Sequence, residues 1–132
     1  MKIILCVDDD GGMLFNNRRQ SRDIVVLDKI KEIVDGNKLW ISEFSRLLFD
    51  NYAYVDSKLL DKALEQDFCF VENLNLAPYA EKIDEIYLFK WNRRYPSDKK
   101  IDISIADIFR LVQSEDFAGN SHEKITMEIW KK

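Results

Sequence analysis

Short apolar runs alternate with helix-like segments through roughly the first ninety residues of this chain, and that alternation confines it to an α/β fold with a mainly parallel sheet. Ile3 to Val7 is an unbroken apolar run with no helical period, which reads as a central strand buried on both faces. Asp8-Asp9-Asp10-Gly11-Gly12 stops it with turn-forming residues at every position. Met13 to Gln20 reads as a polar loop. Ser21 is placed as the N-cap of a helix, and Asp23 falls in its first turn, where a carboxylate suits the helix dipole. Ile24, Leu27, Ile30, Ile33 and Val34 form the expected apolar face, and Gly36 the stop.

The pattern then repeats. Lys38 to Ile41 reads as a strand, and Ser42 as the cap of a short helix with Phe44, Leu47 and Leu48 inward. Tyr52 to Val55 is the next strand, and Ser57 the cap of a helix burying Leu59, Leu60, Ala63 and Leu64. Phe68 to Val71 reads as a buried strand, Leu76 to Lys82 as a brief helix and Ile86 to Phe89 as a strand. Beyond these the helical segments cease. A Pro96 turn, a strand region over Ile101 to Ile105, an acidic turn Ser114-Glu115-Asp116-Phe117, the tripeptide Asn120-Ser121-His122 and a closing strand Ile125 to Trp130 add antiparallel strands. No linker or repeat divides residues 1–132, so one domain is expected.

The composition narrows the function classes. With 46% hydrophobic residues in 132, the chain can bury one core. A formal net charge of -4 disfavours a dedicated nucleic-acid binder and suits a basic protein partner. Cys6 and Cys69 lie in strand-like runs and read as free, buried thiols of a reducing cytoplasm. The five apolar residues between Lys2 and Asp8 are too few for a signal sequence, and no run approaches a membrane span. A single histidine, His122, cannot build a multi-histidine zinc hydrolase site, so no metal site is expected. As a lone turn histidine, it is expected to be exposed and structural.

Taken in order, these segments resemble dihydrofolate reductase. The likeness is carried best by the C-terminal block, from Ile86-Tyr87-Leu88-Phe89 through Asn120-Ser121-His122 to the last strand. At the N-terminus the strand Ile3 to Val7, then Asp8, Gly12 and Met13, then Asp23 opening an apolar helix, follow the same order. The resemblance implies that fold, and it puts Asp23 at the acidic position that faces the pteridine. It also marks departures. Ser42-Glu43 stands where the family has a glycine and a basic residue at the cofactor phosphates, and Glu72-Asn73 where it has a glycine pair. Phe15-Asn16-Asn17-Arg18-Arg19 replaces a Trp-containing motif, and only nine residues, Phe49 to Ser57, span a region longer in the enzyme. Carboxylates at both helix starts would repel a pyrophosphate, so no NADPH and no other cofactor is expected.

Candidate site residues cluster at the carboxyl end of the first strand. Asp8, Asn16, Arg18, Arg19 and Asp23 are close in sequence, and Glu43, Glu72 and Asn73 follow other strands of the same sheet. These residues suit a polar ligand cleft into which Asp23, Arg18 or Arg19, and Glu72 converge; a solvated loop with local ion pairs is the competing reading. Three functions stay open at this point. One is a non-redox binding or interaction protein on a degenerate reductase-like scaffold. The second is an active enzyme using Asp23 on a heterocycle. The third is a nucleotide or nucleic-acid binder using Arg18, Arg19, Arg93 and Arg94, with Trp91 and Tyr95 to stack on bases.

Overall fold

The computed structural model describes Met1–Lys132. Its central strand is β1 (Lys2–Val7), in which Ile3, Ile4 and Leu5 are fully buried. Ile3, Leu5 and Val7 enter the core on one face of the sheet, and Ile4 enters the core on the other. A strand covered on both sides has no polar face to alternate with, so its sequence is continuously apolar. Each such side chain contributes roughly 1.5–3 kcal/mol on burial.

The segment expected as a loop, Met13 to Gln20, is instead a tight hairpin of β2 (Gly12–Phe15) and β3 (Arg18–Arg19). Its two turn residues, Asn16 and Asn17, have φ of 51° and 59°, the left-handed pair that a two-residue hairpin needs. Met13 and Leu14 are buried beneath it. Helix α1 (Ile24–Val34) follows, and Asp23 rather than Ser21 is its cap, accepting from Val25 N at 2.9 Å. The buried face is Val26, Ile30 and Val34, one turn apart; Ile24 is about half exposed, contrary to its expected inward position. Asp35 and Gly36, with φ of 41° and 81°, end the helix in left-handed backbone.

After α1 come β4 (Leu39–Ile41), a 3-10 turn over Glu43–Leu48, β5 (Ala53–Val55) and the single-turn α2 (Leu59–Lys62). Leu47 and Leu64, expected inward, are 89% and 71% exposed; Leu47 lies in the short 3-10 segment and Leu64 beyond the end of α2. Next are β6 (Phe68–Phe70), a second 3-10 turn over Ala77–Lys82, and β7 (Glu85–Lys90). The strand expected over Ile101 to Ile105 is not formed; β8 (Lys99–Lys100), which pairs with β2, ends just before it. Asp102 leaves the strand direction to accept from Leu76 N and Ala77 N, and Ile105 opens the one-turn α3 (Ile105–Ile108). Ser114 to Phe117 is not a turn but half of β9 (Arg110–Phe117), followed by β10 (Ile125–Lys131). On an edge strand open to water on both faces, polar residues lose no hydration, so an acidic run can be extended.

The main sheet has the order β5-β4-β6-β1-β7-β10-β9. β1 runs parallel to β6 and β7, β4 parallel to β5 and β6, and β10 antiparallel to β7 and β9. The neighbours expected for Ile3–Val7, Ile86–Phe89 and Ile125–Trp130 are therefore those observed. The fold is an α/β domain with a mainly parallel central sheet, flanking helices and antiparallel C-terminal strands. Cys6 and Cys69 are free, and no helix is long and apolar enough to cross a membrane. Burial raises both thiols above their ordinary range, Cys69 to about 12, so neither is a ready nucleophile. The carboxyl ends of β1, β4, β6 and β7 open on one edge, where the loop between β9 and β10 also arrives.

Candidate functional site

Two buried carboxylates organise that edge. Asp8, directly after β1, accepts from Asp10 N (2.9 Å), Gly12 N (2.7 Å), Tyr95 N (3.0 Å) and Gln20 Nε2 (3.2 Å). Burial works to raise its pKa, but these bonds outweigh it and hold the pKa below its ordinary value. Asp8 is thus the clamp joining the β1 turn, the hairpin and the segment after β7.

Asp23 is held more strongly. Oδ1 accepts from Val25 N and Asn120 N, and Oδ2 from Ser121 N and His122 Nδ1, each at 2.9 Å. Ser121 Oγ stands 3.2 Å from the same Oδ2. Desolvation again opposes ionisation, and the donors from Asn120, His122, Ser121 and Val25 override it, leaving the carboxyl far below the usual carboxylate range. Gly119 makes this wrapping possible, since a Cβ there would lie 2.5 Å from Asp23 Oδ2. With its lone pairs occupied by the chain, Asp23 has no face left for a heterocycle.

His122 is buried, not exposed as a turn histidine would be. Its ring stacks on Trp91 with centroids 4.7 Å apart and planes at 23°. Trp91 is only 4% exposed, so it offers no platform for a base. Because an ionised carboxylate only accepts, His122 Nδ1 carries the hydrogen directed at Asp23. The other nitrogen, Nε2, is 2.8 Å from Ser21 Oγ and 3.4 Å from Tyr95 OH. Neither Ser21 nor His122 stands out as a partner in the sequence, because 101 positions separate them.

The remaining candidates divide into two groups. Arg19, on β3, reaches across to Glu72 with two 2.9 Å bonds, Nε to Oε2 and Nη2 to Oε1. Ser45 Oγ donates to Glu72 Oε1 at 2.7 Å, and Arg19 Nη2 also donates to Phe44 O. Glu72 and Asp23 both line a small, partly open cavity of about 20 Å³, with Cys6, Ser21, Leu48 and Phe70 among its walls. That is room for about one water molecule. On the far side of Arg19, a surface cleft of about 510 Å³ is lined by Phe15, Asn16, Arg18, Arg19, Gln20 and Tyr95. The single concavity expected for Asp23, Arg18 or Arg19, and Glu72 is therefore two, with Arg19 between them. Gln20 Oε1 is buried and makes no hydrogen bond.

Glu43 points to solvent and pairs with Arg46 at 2.8 Å, while Asn73 accepts from Ser42 Oγ at 3.3 Å. Arg94 pairs with Asp10 at 3.0 Å. These residues do not fit a dinucleotide. Glu43 and Glu72 set negative charge where phosphate would need donors, and the Glu72 carboxylate is already bound by Arg19 and Ser45. No group of three or more His, Cys, Asp and Glu side chains is arranged to hold a metal ion.

No protein-family model matches the chain, and no curated protein matches it in sequence. Among solved structures, dihydrofolate reductase from Enterococcus faecalis complexed with NADP(H) and RAB-propyl is similar with a TM-score of 0.73. The match covers 98% of this chain and 94% of that chain at 11% sequence identity. At that identity the likeness carries the fold alone.

Proposed function

We propose that this chain, a dihydrofolate reductase-like scaffold by its fold, is a non-redox binding protein for a small polar ligand. The carrying observation is the 510 Å³ cleft beside the hairpin, which has the size of a small-molecule site. Arg18 is exposed there and makes no ion pair. Tyr95 and Phe15 add aromatic surface. A ligand with an anionic group for Arg18 suits this lining. The reductase reading draws less support, since Asp23 has its oxygens filled and the dinucleotide phosphates would meet carboxylates. The two free thiols fit a reducing cytoplasm.

A thermal-shift screen of polar and zwitterionic metabolites tests the reading. A ligand held at 100 times its Kd adds about 2.7 kcal/mol to the folded state, a readily measured rise in Tm. Arg18→Ala is expected to abolish that rise without changing the Tm of the free protein. A hit that survives Arg18→Ala, or no hit in a broad screen, counts against the cleft.

A second reading, interaction with a basic protein partner, is favoured by β9. Seven of its eight residues are exposed, Glu115 and Asp116 among them, and only one of its edges is paired. An extended segment could add to that edge.

A further inference from the structure

We propose that Ser21, His122 and Asp23 form a nucleophilic acyl-transfer site, with Ser21 Oγ as the nucleophile. This goes beyond ligand binding and does not depend on the hairpin cleft. The geometry is a chain of two hydrogen bonds, Ser21 Oγ to His122 Nε2 at 2.8 Å and His122 Nδ1 to Asp23 Oδ2 at 2.9 Å. Such an order of hydroxyl, imidazole and carboxylate is the arrangement that activates a serine, whatever the fold and whatever the chain order.

Each group is in the state the chemistry needs. Asp23 is ionised and accepts only, so it fixes the hydrogen of His122 on Nδ1. Nε2 then presents its lone pair to the Ser21 hydroxyl. The Trp91 stack and the Asp23 bond hold the ring against rotation. Asp23 is itself immobilised by Val25 N, Asn120 N and Ser121 N, so it serves as a positioning residue. Ser21 is half-buried, next to the exposed Arg22, and it lines the 20 Å³ cavity. The backbone N–H groups of Arg22 and Asp23 make no hydrogen bond within the chain.

The reaction balances without a further reagent. Ser21 Oγ attacks the carbonyl carbon of an ester while its proton passes to His122 Nε2. The tetrahedral adduct collapses with cleavage of the bond to the alcohol oxygen, which takes the proton from Nε2. Water then attacks the acyl-serine, giving its proton to Nε2, and the acid leaves as Ser21 recovers a proton. The cavity size limits the acyl group. The cavity of about 20 Å³ beside Ser21, walled by Val26, Leu48, Phe70 and Trp91, is too small for a long acyl chain.

The test is covalent labelling of the full chain with a fluorophosphonate, followed by intact-mass measurement and peptide mapping. One label per chain on Ser21 is expected, absent in Ser21→Ala and slowed at least about 100-fold in His122→Gln. Asp23→Asn is expected to move the pH profile of labelling. p-Nitrophenyl acetate should give a burst of about one equivalent of nitrophenol and outpace the butyrate and octanoate esters. A folded wild-type chain that takes no label, or takes it elsewhere than Ser21, overturns the proposal even if the hairpin cleft binds its ligand. That readout needs no variant to fold. A merely structural staple would lower the Tm of Ser21→Ala and still leave Ser21 unlabelled.

Discussion

Asp23 shows what a single side chain controls here. Its carboxylate caps α1 and gathers the Gly119 to His122 loop, so its loss would free both. Because its folded pKa is depressed, the stability it contributes is fully present above the ordinary carboxylate pKa of about 4 and is lost as pH falls below it. Asp8 is shifted the same way and adds to that loss. Acid titration by circular dichroism should therefore show unfolding begin below about pH 4, and Asp23→Ala should flatten that dependence. Gly119→Ala tests the same contact from the other side. A Cβ 2.5 Å from Asp23 Oδ2 and 2.8 Å from Ile125 Cδ1 cannot be accommodated without displacing a pinned carboxylate. A loss of about 1–3 kcal/mol is expected in urea unfolding. An unchanged midpoint would mean that the loop yields freely.

At the scale of elements, the Arg19–Glu72 pair joins the small sheet of β2, β3 and β8 to the main sheet. Arg19 comes from a two-residue strand whose own ladder is weak, and Glu72 follows β6. Glu72 is only 10% exposed, so Arg19→Ala would strand a largely buried carboxylate. Because the pair retains some solvent, the expected cost is about 1–3 kcal/mol, below that of a fully buried pair. Arg19→Ala combined with Glu72→Ala should recover part of it, and chemical denaturation of the four proteins gives the coupling. Additive losses would show that the two sheets are held by apolar packing of Met13 and Leu14 instead. The elements themselves were unevenly legible. β1 and the strand order around it follow from continuous apolar runs. The hairpin did not, because Asn16 and Asn17 turn a polar stretch that carries only Met13, Leu14 and Phe15 as apolar residues. Nor did β9, since an edge strand wet on both faces leaves no period in its sequence.

For the whole molecule, the likeness to dihydrofolate reductase carries the fold and no more. Glu43 follows β4 and Glu72 follows β6, so both strand exits carry a carboxylate. Titration of nicotinamide fluorescence with this chain is expected to show no saturable NADPH binding at micromolar concentration, and clear saturation there would refute the electrostatic argument. The amino-acid sequence by itself determined which segments are buried and in what alternation, because burial repeats with the period of each element and is written locally. That was enough for the α/β class, for Ile3–Val7 at the centre and for the cap region of α1. It also marked Asp8, Arg19, Asp23 and Glu72 as polar groups leaving one edge of the sheet. Only the tertiary structure decided what those groups touch. Asp23 meets His122 across 99 positions and Arg19 meets Glu72 across 53, distances set by strand order and loop path rather than by any local pattern. The same long-range pairing turned an expected exposed histidine into a buried one and divided one expected cleft into two.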